Sequence, residues 1–181
     1  MPRISVQGSS GSGKSRLSKA LAEGLGAPYL ELDSIFHLAN WEPLPKEEFR
    51  RQVEVFAQQE SWVIDGNYSA VRDLVLARAE TLVFLDLPRW KVMSQLIPRT
   101  LRRSFTREEL WNGNTEGATS FLSFNPDRNV ILWSFLKHAK NRNRFAKSEA
   151  DPGCKHITFQ RFRSHAEGAS WLKKFLGLHS Q

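Results

Sequence analysis

Residues 8–15 read GSSGSGKS, and no other stretch of the 181-residue chain limits its fold as strongly. Gly8, four intervening residues, Gly13, Lys14 and Ser15 reproduce the G-x-x-x-x-G-K-[ST] spacing of a phosphate-binding loop. The flanks have the order this motif requires. Ile4, Ser5 and Val6 form a short apolar entry, and Leu17, Ala20, Leu21 and Leu25 recur afterwards at helical spacing. Glycines let the backbone turn tightly and aim its N–H groups at one point, and the start of the following helix adds its own unpaired amides. Gly8, Ser9, Ser10, Gly11, Ser12, Gly13, Lys14, Ser15 and Arg16 are therefore the candidate contacts to a nucleoside triphosphate. Lys14 reaches the outer phosphates, and the Ser15 hydroxyl is a Mg²⁺ ligand.

The remaining strand-like runs are 29–32, 62–64, 81–85 and 156–159, with helical patterns between them, as at 46–58 and around Trp171. Strand alternating with helix predicts a parallel sheet covered on both faces, whose ligands sit at the carboxyl ends of the strands. Polar residues cluster where strands are expected to end: Asp33 after the second, Asp65-Gly66-Asn67 after the third and Asp86 after the fourth. Asp65 is the better metal-site carboxylate, because an apolar run leads straight into it. Asp33 falls on the acceptor side of the phosphates. Asp86 precedes Pro88, a residue suited to the first turn of a helix.

No apolar run approaches the ~18 residues of a membrane span, and no repeat, linker or signal-peptide pattern interrupts the chain. One domain over residues 1–181 is expected. Cys154 is the only cysteine, which rules out an internal disulfide and fits a buried thiol in a reducing, cytoplasmic setting. The net charge of +7 is unevenly spread: residues 89–147 carry 12 Lys/Arg and four Asp/Glu, a net of +8. A segment of that sign attracts the phosphates of a nucleotide or of a nucleic-acid backbone. Arg99, Arg102 and Arg103 fall on one helix face, with Pro98 at its start or at a kink. Arg142 and Arg144 follow a second helical run at 130–140. Trp111, Phe121, Phe124 and Trp133 suit packing beneath a lid better than stacking on bases, and His37 and Trp41 flank a loop after Asp33.

Taken together, GSSGSGKS, LELDSIFH with Trp41, WVIDGNYSAVRDL and LVFLDLPRW resemble the P-loop kinases of the adenylate-kinase type. With ELWNGNTE and ILWSFLKH, the chain is more closely similar to a bacterial branch often labelled DNA topology modulation proteins. The resemblance implies a three-layer α/β/α P-loop NTPase fold, with a five-stranded parallel sheet and a basic helical lid insertion at about 99–147. It implies ATP and Mg²⁺ as cofactors. It also implies roles for Asp65 in the Mg²⁺ shell, Asp33 toward the phosphate acceptor and Arg99 on the donor nucleotide, with Arg142 and Arg144 as arginines returning from the lid. Two positions depart from that pattern. Gln95 stands where nucleotide kinases carry an arginine, and Ser69 stands where they carry an acceptor-binding arginine, with Arg72 the nearest one. Both departures point away from a nucleoside monophosphate as acceptor. The expectation is a Mg²⁺- and ATP-dependent phosphotransferase using Lys14, Asp33, Asp65, Arg99, Arg142 and Arg144, with an unidentified acceptor and no membrane association. The alternative is a nucleotide-binding regulatory protein whose basic lid binds DNA, with little or no kinase activity. For the kinase, nucleic-acid binding is expected to be weak.

Overall fold

The computed structural model describes residues 2–116 and 129–179. Five strands, β1 (Arg3–Gly8), β2 (Tyr29–Glu31), β3 (Trp62–Asp65), β4 (Thr81–Leu85) and β5 (Thr158–Phe162), form one all-parallel sheet in the order β2-β3-β1-β4-β5. Between them run α1 (Lys14–Leu25), α2 (Leu32–Phe36), α3 (Lys46–Ala57), α4 (Arg72–Arg78), α5 (Arg89–Thr106) and α6 (Val130–Glu149), and α7 (His165–His179) closes the described chain. This is the three-layer P-loop NTPase arrangement expected from the sequence. Central strands β1, β3 and β4 are buried almost throughout, which is why they read as continuous apolar runs.

Each face of the sheet has its own core. On one, Phe49 and Val53 of α3, Val75 of α4 and Phe145 of α6 pack around Trp62, Ile64, Leu82 and Phe84. On the other, Leu17 and Leu21 of α1 meet Ile4, Val6, Val63 and Val83, with Trp171 and Phe175 of α7 packed alongside. Fully buried side chains such as Phe49, Leu21 and Ile64 each stabilise the fold by about 1.5–3 kcal/mol through burial.

Several boundaries differ from the sequence reading. The second strand stops at Glu31, so Asp33 is not a strand-end residue but lies in the first turn of α2. The Ser34 hydroxyl donates to Glu31 O at 2.7 Å and fixes that turn. Leu32 then leaves the sheet and lies against Gly66, whose φ of +146° and 2.9 Å clearance admit no Cβ. The fifth strand starts at Thr158, because His156 bonds Leu76 O and Ile157 N closes a turn onto Cys154 O. α5 runs from Arg89 through Pro98 without interruption. α6 continues nine residues beyond position 140, since buried Phe145 stacks on Phe84 at 4.8 Å, so Arg142 and Arg144 lie within a helix rather than after one. The expectations for Phe121 and Phe124 lie outside the described residues. Among the described residues no helix is long and apolar enough to cross a membrane.

Candidate functional site

β1 ends at Gly8 in the middle of the sheet, and the loop to α1 turns there on two glycines with positive φ, Gly11 at +86° and Gly13 at +84°. A Cβ on Gly11 would strike Leu96 and Val92 O of α5, and one on Gly13 would strike the His165 ring at 2.9 Å. Gly13 precedes Lys14 without a side-chain cap on the helix, so the first amides of α1 are left for an anion. Asn67, just past β3, clamps the start of the loop: its Oδ1 accepts from Gly8 N at 3.1 Å, and its amide donates back to Gly8 O. From the other side, Ser134 of α6 donates to Ser10 O at 3.0 Å, His138 Nε2 donates to Leu87 O at 2.9 Å and Asn141 reaches Ser9 Oγ at 3.5 Å. The buried polar ridge of α6 therefore rests on the loop and on the segment after β4.

The Lys14 ammonium lies 3.4 Å from Asp65 Oδ1, and both side chains are almost wholly buried. Burial alone would depress the lysine, but the carboxylates of Asp65, Asp33 and Glu31 overcome it and leave its pKa raised. Ser15, one residue on, donates to Glu31 Oε1 at 3.3 Å. Tyr29 donates to Asp65 Oδ2 at 3.4 Å. Burial, with the mutual repulsion of Asp65, Glu31 and Asp33, pushes the Asp65 and Glu31 carboxyls upward against the pull of Lys14. Three carboxylates thus face one ammonium, and Asp65 Oδ1 has no hydrogen-bond donor of its own. This oxygen-rich, over-negative corner suits a hard divalent cation. Among the described residues no three His, Cys, Asp or Glu side chains form a cage for a metal.

Asp33 also borders a polar and aromatic wall. Tyr68 donates to its Oδ1 at 2.6 Å, and His37 Nε2 lies 3.3 Å from the same hydroxyl. The His37 ring stacks on Trp111 at 6.1 Å and meets Trp41 edge-on at 5.3 Å. Burial lowers the His37 pKa, and Asp33 opposes that shift. Trp111 thus lies beside His37 in this aromatic cluster. Asn40, Trp41 and Asn112 hold positive φ, and the two loops that contain them are clasped together. Asn114 accepts from Trp41 N at 2.8 Å and donates to Leu38 O, the Trp41 indole donates to Thr115 O at 3.1 Å, and Asn112 donates to Ser34 O at 3.1 Å.

The predicted arginines divide. Arg99 is largely enclosed, with an unpartnered Nε; burial and Arg103 lower its pKa against the pull of Glu116 and Asp33. Arg144 donates to Asn67 O at 2.7 Å, next to the loop clamp. Arg142 is instead bound to Asp86, Nε to Oδ1 at 3.0 Å, and Arg161 of β5 holds the other Asp86 oxygen. Asp86 thus has its charge satisfied away from Lys14. Arg102 and Arg103 pair with Glu108, and Arg103 also lies near Glu116. Arg16 is exposed on the first turn of α1, on the side of His165. Glu31, Asn112 and Asn114 were not singled out from the sequence, and Asn67 appeared there only as part of a polar strand end. For Glu31 a signal existed: it stands two residues before Asp33 at a strand end, the spacing that returns a side chain to the same face.

A parallel sheet with this loop on its central strand defines a P-loop NTPase fold, and comparison with solved structures agrees. The chain is similar to shikimate kinase from Bacteroides thetaiotaomicron, with 15% identity over 99% of each chain and a TM-score of 0.56. Shikimate kinase from Acinetobacter baumannii, in complex with shikimate, gives 18% identity over 98% of this chain and 92% of that one, with a TM-score of 0.55. A gluconokinase from Sinorhizobium meliloti 1021 gives 18% identity, 98% and 94% coverage and a TM-score of 0.51. At these identities the likeness is one of fold. No protein-family profile matches the chain, and no curated protein matches it in sequence.

Proposed function

We propose that the protein is a Mg²⁺- and ATP-dependent phosphotransferase acting on a hydroxyl group of a small molecule, and that residues 1–181 work as one unit with a basic helical lid at about 99–147. The observation that carries this reading is the buried Lys14 ammonium 3.4 Å from Asp65, with the Asp33 carboxylate in electrostatic reach. A phosphate-binding lysine, a metal-side carboxylate and an acceptor-side carboxylate then stand in one corner. In this mechanism the loop amides and Lys14 bind the β- and γ-phosphates. Ser15 and Asp65, through water, would hold Mg²⁺, which neutralises charge on the phosphate oxygens. The acceptor oxygen forms a bond to the γ-phosphorus, the bond from that phosphorus to the β,γ-bridging oxygen breaks, and ADP leaves. The hydroxyl proton passes to Asp33 at Oδ2, the oxygen that Tyr68 does not hold. Arg99 and Arg144, and Arg142 once released from Asp86, add positive charge over the transferred group.

The alternative of a DNA-binding lid is less well supported, because Arg102, Arg103 and Arg142 are already neutralised by Glu108, Glu116 and Asp86. The motif likeness to the topology modulation branch adds a cellular effect but no reaction. Lys14→Ala tests the reading: calorimetric titration with Mg·ATP should show affinity reduced by at least about tenfold, with turnover lost. Unchanged affinity and turnover would overturn it.

A further inference from the structure

A phosphate loop works only if its amides face one point, yet glycine and serine have no preference of their own that fixes them there. In this chain the restraint comes from α6. Its buried stripe consists of Ser134, His138, Asn141, Phe145 and Ser148. Phe145 is the one apolar side chain among these five. Such a stripe ordinarily carries leucine or isoleucine, and buried polar groups cost stability unless each finds a partner. The first three find theirs in the phosphate loop and in the segment after β4.

The contacts follow the order of the loop. The wholly buried Ser134 hydroxyl donates to Ser10 O at 3.0 Å, and the Asn141 amide lies 3.5 Å from Ser9 Oγ. Three residues further along α6, Arg144 donates to the carbonyl of Asn67, whose side chain clamps Gly8. Ser9 O also accepts from Ser12 N at 3.0 Å and closes the turn. Ser10 matters most. Its peptide bond to Gly11 is trans, so the carbonyl and the Gly11 N–H point in opposite directions. With the carbonyl pinned to α6, the Gly11 N–H is turned away from that helix. Gly11 is buried, and among the described residues nothing accepts from its N–H. A buried backbone donor left unpaired on such a loop is available to an anion.

We propose that Ser134 is a positioning residue for phosphate binding. By holding the Ser10 carbonyl it directs the Gly11 N–H at a phosphate oxygen of the bound nucleotide, while Asn141 keeps Ser9 in line. The proposal rests on the phosphate-loop reading and extends it to a residue 124 positions further along the chain.

The sequence has two Ser-Gly pairs, Ser10-Gly11 and Ser12-Gly13, so labelling with carbonyl-¹³C serine and ¹⁵N glycine isolates these two peptides by NMR. The full chain is titrated with Mg²⁺ and a non-hydrolysable ATP analogue, and separately with Mg²⁺ and inorganic tripolyphosphate, by calorimetry and NMR. In the parent, the Gly11 amide proton should move downfield on saturation with either ligand. Ser134→Ala should shift the Ser10 carbonyl resonance of the free protein, shrink that downfield movement and weaken both ligands about three- to tenfold, as loss of one hydrogen bond does. Ser148→Ala removes a hydroxyl from the same buried stripe, one whose partners are Arg72 and the Arg144 carbonyl. It should lower Tm and leave both affinities unchanged. No binding of either ligand by the parent would refute the phosphate-loop reading itself. With the parent binding, a Gly11 amide that does not move, an unchanged affinity in Ser134→Ala or an equal loss in Ser148→Ala overturns the role of Ser134 alone. The Gly11 readout in the parent holds whether or not the variants fold.

Discussion

Replacing Asp86 and Asp65 one at a time should separate a carboxylate that holds the fold from one that serves the site. Asp86 has a side chain only 2% exposed and is gripped by Arg142 from α6 and Arg161 from β5. Removing one partner from a fully buried ion pair costs about 3–5 kcal/mol. Here the two guanidinium side chains retain 48% and 33% exposure and rehydrate in part, so the loss for Asp86→Asn is discounted to about 2–3 kcal/mol. For a chain of this size that corresponds to a fall in Tm of about 5–10 °C. Asp65→Asn removes a partner from Lys14 and also relieves repulsion on Glu31 and Asp33. These effects oppose one another, and Tm should stay within about 3 °C. Its effect should fall on Mg²⁺-dependent nucleotide binding and turnover, which Asp86→Asn largely spares once the protein is folded. Thermal melts and calorimetric titration with Mg·ATP, on both variants at one temperature, provide the measurements. An Asp86→Asn protein that melts with the parent, or an Asp65→Asn protein that unfolds early yet binds Mg·ATP normally, would refute the division of roles.

Other outcomes follow from the same geometry. Asn114→Ala deletes a buried amide that ties two loops, and should loosen the clasp by about 1–3 kcal/mol, seen as faster hydrogen exchange at 38–42 and 109–115 with little change in Tm. Gly13→Ala must adopt φ +84° and pushes a Cβ into the His165 ring; with about 1–2 kcal/mol of backbone strain it should weaken nucleotide binding. His37 should titrate below its ordinary 6.5 by NMR. The folded state then binds fewer protons than the unfolded one between the native value and 6.5. Its stabilising contribution is full above 6.5 and falls as pH drops through that window.

The phosphate loop, the parallel sheet and all five strands were legible because each rests on a local pattern: glycine spacing, apolar runs and the change of period between strand and helix. What stayed hidden depended on where distant segments meet. Arg142 looks like a lid arginine until β5 pairs with β4 and sets Arg161 beside Phe84, from where both arginines grip Asp86. Asn67 stood out only as part of a polar strand end and Asn112 and Asn114 only within ELWNGNTE, and their amides acquire a purpose only when Gly8, His37 and Leu38 are brought alongside. The polar NRNR run suggested the end of a helix, whereas Phe145 beyond it found a stacking partner across the core. Asp33 lies on a different element from the one expected, since nothing in LELDS marks the point at which the strand coils.

β1 has a consequence for synthesis. The strand that carries the loop is made before the other four, yet it lies in the middle of the sheet between β3 and β4, and the loop is bordered by His165 at the start of α7. A nascent chain therefore exposes its glycine loop without neighbours until Trp62–Asp65 and Thr81–Leu85 have been made, and without the His165 border until α7 emerges. Competence to hold a nucleotide is acquired only once β5 and α7 have been made, so a stalled chain ending before β5 would carry the complete phosphate-loop motif and no formed site.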